Sequence, residues 1–155
     1  MKIRRIVTGH DAKGRAIIEK DAEMENLKVL NSGNRGVLLW VTDGSPPTVE
    51  GEEDPSERDM GIPPPPGGSV FRMLEVPPGK EAFMHCTDTI DYCIVVQGEC
   101  VMLVDDGQEV AMSAGDVMVQ RGTWHGWANR SDQPARLAFV LISAQPPAQR
   151  VHEAL

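Results

Sequence analysis

The chain has 155 residues, with 15 Lys and Arg against 23 Asp and Glu, a formal net charge of −8, and four His. That length supports one domain. No run approaches the ~20 apolar residues of a membrane-spanning helix, and the acidic balance speaks against nucleic-acid binding, which needs a basic surface. Cysteines at 86, 93 and 100 make no disulfide framework, and the first five residues lack the apolar stretch of a secretory signal. A reduced, cytoplasmic setting is the expectation.

With 15 Gly and 12 Pro, the chain is interrupted too often for long helices. Strands are predicted over residues 3–8 and 15–19, with a hairpin loop between them. One turn of helix is predicted over 21–28, and a further strand over 36–42. Residues 44–68 carry Pro46-Pro47, an acidic run (Glu50, Glu52, Glu53, Asp54, Glu57, Asp59) and four consecutive prolines, 63–66. Two readings stay open for this stretch, a solvated surface loop or a flap over a pocket mouth. Strands are then predicted over 70–76, 89–97, 99–105, 108–112, 116–120, 126–129 and 135–143. Asp106-Gly107 is the strongest hairpin signal, because both residues tolerate positive φ. Short strands at this spacing indicate an all-β sandwich or barrel. The expected layout is N-terminal strands over 1–43, a loop over 44–68, a core over 69–144 and a tail over 145–155, with His10 and His152 solvated in the flanks.

Two stretches carry chemistry. Residues 79–98 read GKEAFMHCTDTIDYCIVVQG, and residues 115–129 read GDVMVQRGTWHGWAN. The first resembles the cupin signature G-x5-H-x-H-x3,4-E-x6-G at Gly79, His85, Thr87, Asp91 and Gly98, with Thr87 in place of the second His and Asp91 in place of Glu. The second resembles G-x5-P-x-G-x2-H-x3-N at Gly115, His125 and Asn129, one residue short before the His. The resemblance covers about half the chain. It implies a double-stranded β-helix (jelly-roll) barrel with an N-terminal strand extension, often dimeric and often holding a divalent metal. It is also similar to small cupins associated with degradation or secondary-metabolite pathways.

The residues make their own case. Alternate residues of a strand share a face, so His85 and Thr87 form one set, Asp91 and Cys93 a second, and His125, Trp127 and Asn129 a third. Should His85, Asp91 and His125 all face the interior, two imidazoles and a carboxylate suit Fe, Mn, Ni or Zn. The missing second His leaves a metal-free acid–base site as an alternative. Thr87, Tyr92, Cys93, Trp127, Asn129 and Arg121 are the expected lining of a substrate pocket, with a surface salt bridge the alternative for Arg121. Cys86, of opposite parity to His85 and Thr87, should face away. The expectation is a homodimeric small-molecule enzyme: a metal-dependent lyase or isomerase, with an Fe(II) dioxygenase, a metal-free acid–base catalyst or a ligand-binding cupin as alternatives.

Overall fold

The computed structural model describes residues 1–51 and 53–155, so Glu52 of the acidic run lies outside the described residues. Eleven strands dominate them: β1 (Arg4–His10), β2 (Ala16–Glu23), β3 (Lys28–Val29), β4 (Arg35–Thr42), β5 (Ser69–Val76), β6 (Thr89–Gln97), β7 (Glu99–Leu103), β8 (Glu109–Ser113), β9 (Val117–Arg121), β10 (Gly126–Ala128) and β11 (Ala135–Ser143). They form a six-stranded sheet in the order β3-β4-β5-β11-β6-β9, a three-stranded sheet β10-β7-β8, and the hairpin β1-β2. No helix among the described residues is long and apolar enough to cross a membrane.

Strand periodicity decides which side chains enter the core. Along β6, Thr89, Asp91, Cys93 and Val95 are buried while Ile90, Tyr92, Ile94 and Val96 are exposed. Along β11, Ala135, Leu137, Phe139 and Leu141 alternate inward in the same way. These meet Cys100 of β7, Met112 of β8 and Trp127 of β10 in one core, so the core lies between the two sheets. Gly98 links β6 to β7 at φ 75°, and a Cβ there would stand 2.7 Å from the Pro134 carbonyl oxygen. That turn admits glycine alone without rearrangement. Asp106 (φ 57°) and Gly107 (φ 69°) make the turn between β7 and β8.

The chain before residue 44 divides in two. β4 pairs with β5 and extends the large sheet. At the open end of the β1-β2 hairpin, the flanking Met1, Ile3 and Met24 pack over Val37, Leu39 and Met73. The expected helical turn over 21–28 is not formed, because the backbone of β2 runs on to Glu23, where it pairs with Arg4. The proline-rich stretch is tethered. Asp54 accepts from both Arg5 and Lys20 and caps a 3-10 turn at Pro55–Glu57, and these cations hold its carboxyl far below the usual range. Further on, Met60 and Ile62 pack against the core. His152 is also anchored rather than solvated. Its ring stacks on Trp124 at 4.2 Å, and its Nε2 lies 2.6 Å from Asp105.

Candidate functional site

His85 and His125 lie on two short segments joined by an isolated antiparallel bridge. Each backbone N–H donates to the other residue's carbonyl at 2.8 Å. Residues exchanging both bonds in an antiparallel pair put their side chains on the same face. The two imidazoles therefore stand side by side, with ring centroids 4.4 Å apart. In each ring Nδ1 faces the carbonyl two residues back, Phe83 O at 3.1 Å and Thr123 O at 2.9 Å. A carbonyl oxygen can only accept, so each Nδ1 carries the proton and each Nε2 keeps a bare lone pair. Burial lowers the pKa of His85. Burial, together with His85 beside it, pushes His125 down to about 4. Both rings are neutral bases at neutral pH.

The two rings share one pocket with Thr87, Asp91 and Trp127. Its walls include Leu30, Ile62, Leu74, Phe83, Phe139 and Leu141. Trp127 meets Phe139 edge to face, with centroids 5.5 Å apart. Asp91 is 3% exposed. Its Oδ2 accepts from Gln120 Nε2 at 2.9 Å, while its Oδ1 is buried with no partner. Burial raises its carboxyl to about 6, against the opposing pull of Thr89 and the Arg72 charge. Thr87 is fully buried and shares a 2.7 Å hydrogen bond with Thr89.

Four expected lining residues lie elsewhere. Tyr92 follows Asp91 on β6, so its ring points to the opposite, exposed face. Arg121 follows the inward Gln120 and is likewise exposed. Cys93 enters the core but does not line the pocket, and burial raises its thiol well above its ordinary value. Asn129 is fully buried but structural: its Nδ2 donates to Val76 O and Gln133 O, and its Oδ1 accepts from Ser131. Cys86 does face away, with its Sγ directed at Glu153 O. Arg72, Asn34 and Gln120 are the polar residues that sequence reasoning missed. Arg72 alone left a signal, as a cation at an inward position between Val70 and Leu74 of an apolar strand.

The donor set bears on the expected metal. Among the described residues, no group of three or more His, Cys, Asp or Glu side chains could hold a metal ion. His85 and His125 offer two arms. Asp91 lines the same pocket, with Oδ2 bound to Gln120, but is not gathered with them into such a group. The three-ligand set expected from the sequence is therefore not assembled.

Comparison with known proteins agrees with this architecture. The family model described as "Cupin domain" matches residues 72–142. Phomopsin biosynthesis cluster protein C' of Diaporthe leptostromiformis is 36% identical over 149 residues, which is 92% of this chain and 79% of that protein. The cupin-domain-containing oxidoreductase fogC of Aspergillus ruber is 30% identical over 150 residues, 91% of this chain and 72% of that one. The chain belongs to the cupin family. The Cnp3 cupin domain of Schizosaccharomyces pombe shares the fold at 14% identity, with a TM-score of 0.54 over 90% of this chain and 87% of that one.

Proposed function

We propose that the chain is a small-molecule enzyme that relocates protons on a carbonyl-bearing metabolite with an apolar body, isomerising or dehydrating it. The observation that carries this reading is the pair of bare Nε2 atoms set in the same pocket as the half-satisfied carboxyl of Asp91. His85 is assigned as the general base. It is the less buried of the two rings, so desolvation weakens its basicity less than that of His125. It takes the proton from the carbon beside the carbonyl. Asp91, whose carboxyl stands at about 6, is partly protonated near neutral pH and hands its proton to the carbonyl oxygen as the enol forms. Return of a proton at a different carbon completes an isomerisation, and loss of a β-hydroxyl as water completes a dehydration. Trp127, Phe139 and Leu141 exclude water and hold the apolar body in place.

The relatives' names support small-molecule chemistry, since one is a biosynthesis cluster protein. Another is called an oxidoreductase, which favours a second reading in which His85 and His125 serve a redox site. Elemental analysis and titration with Fe(II), Mn(II), Ni(II) and Zn(II) test that second reading. The three unpaired cysteines suit a reduced, cytoplasmic setting.

The proposal is tested by exchange in D2O. Small aromatic and alicyclic aldehydes and ketones are incubated with the protein, and loss of carbon-bound hydrogen is followed by NMR. Wild type should exchange at least one of them, and His85→Asn should slow that exchange by about 10²-fold or more. Equal rates in the two proteins would remove His85 from the chemistry.

A further inference from the structure

Arg72 is the one cation lining this pocket among the described residues. It lies on β5 between the inward residues Val70 and Leu74, opposite Phe139 of β11. Its Nη2 donates to the carbonyls of Gly61 and Ile62 at 3.0 and 3.1 Å and so ties the proline-rich loop over the barrel. Both acceptors are neutral, and its countercharge is Asp91 across the same pocket, which attracts it without closing an ion pair. No carboxylate forms an ion pair with it among the described residues, and its Nε is buried without a hydrogen-bond partner. Asp91 faces the same space, bound instead to Gln120, with its Oδ1 unpartnered.

A half-buried guanidinium whose Nε is buried without a partner favours an oxygen that carries negative charge. Water would satisfy Nε but not the charge. A ligand oxyanion satisfies both, and a guanidinium binds a carboxylate through paired donors. The surrounding walls, Leu74, Trp127, Phe139 and Leu141, are flat and apolar.

We infer that Arg72 is the specificity-determining residue of this pocket, seating a carboxylate or phenolate oxygen of a small aromatic substrate. The inference rests on the reading of this pocket as the substrate site, and it names the substrate class: an aromatic ketone or aldehyde that has a hydrogen on the carbon beside its carbonyl and a carboxylate or phenolate on its ring. The oxyanion sits at the β5 side, and the ring spans the pocket towards His85 and His125. Arg72 thus has two tasks, holding the loop through Nη2 and the ligand through its remaining donors.

Calorimetric titration of the full chain with 2-hydroxybenzoate and with its neutral counterpart 2-hydroxybenzyl alcohol separates these tasks. Wild type should bind the acid at least about tenfold more tightly than the alcohol. In Arg72→Gln that ratio should fall to about one while the alcohol's affinity changes by less than about threefold. Arg72→Lys, which keeps the charge, should retain part of the preference. Equal weakening of both compounds in Arg72→Gln would mean that Arg72 acts through the loop alone and would overturn the inference. So would a wild-type ratio near one, which needs no variant to fold, and in that case the pocket reading survives. Binding of neither compound would overturn both.

Discussion

Burial moves His125 and Asp91 in opposite directions, and the two residues make opposed contributions to the acid stability of the protein. His125 falls from an ordinary 6.5 to about 4. Between those values the unfolded chain binds a proton that the folded chain refuses, so this residue's contribution is full above about 6.5 and is lost as the pH drops towards 4. Asp91 rises from 3.8 to about 6. Over that window the folded chain holds the extra proton, so its contribution is full below about 3.8 and is lost as the pH climbs through 6. Each shift corresponds to roughly 3 kcal/mol. Over about pH 4 to 6 these two terms oppose each other, so the wild-type slope should lie between those of variants that lack one or the other. Asp91→Asn removes one term, and its denaturation midpoint in urea should fall steeply with acid over that range. His125→Gln should show the reverse slope. Parallel curves for all three proteins would contradict the assigned burial effects.

At the scale of the strand, the period of two accounts for what was legible in the sequence. It places Asp91 and Cys93 inward on β6 and sets Trp127 beside His125, and the structure agrees. The same rule excludes Tyr92 and Arg121 from the pocket, since each adjoins an inward residue. Asn129 is buried as the alternation implies and bridges Lys80, but the backbone groups of Val76, Ser131 and Gln133 take up its amide, which parity alone does not reveal. The side-by-side placement of His85 and His125 depends on a bridge between residues 40 apart, which no local pattern announces. Met60 and Ile62 come from a stretch with no hydrophobic period at all. Their place against the core is fixed by Arg72 and by the ion pairs of Asp54 and Arg58, which are long-range. The false helix over 21–28 shows the same limit: a helix-compatible composition yields to pairing with a distant strand.

The whole molecule leaves one face of the large sheet uncovered. Trp40, Phe71, Val140, Tyr92 and Val119 stand opposite one another across five strands, β4, β5, β11, β6 and β9. Ile94 and Val117 form a parallel pair beside them. Val117 is 73% exposed, Val119 62% and Tyr92 49%. Met1, Ile3 and Met24, which flank the β1-β2 hairpin, cover Val37, Leu39 and Met73 of the same sheet, and Arg5 of β1 lies over the Trp40 ring at the end of this row. Monomers seldom leave a continuous apolar patch beyond about 300–600 Å², whereas a stable pair buries about 800 Å² on each side. A five-strand row is of that order, and we propose that a second copy of the chain covers it about a two-fold axis. Light scattering at micromolar concentration should give twice the chain mass, and Val119→Lys should give the chain mass alone. A monomeric wild type would refute the pairing.

The proposed chemistry stands on two imidazoles that offer bare Nε2 atoms to one pocket. Nitrogen-15 NMR of the histidine side chains at neutral pH tests this directly. The account predicts that His85 and His125 are both neutral with the proton on Nδ1, each giving an unprotonated Nε2 resonance. A proton on Nε2 of either ring, or an imidazolium at neutral pH, would contradict it.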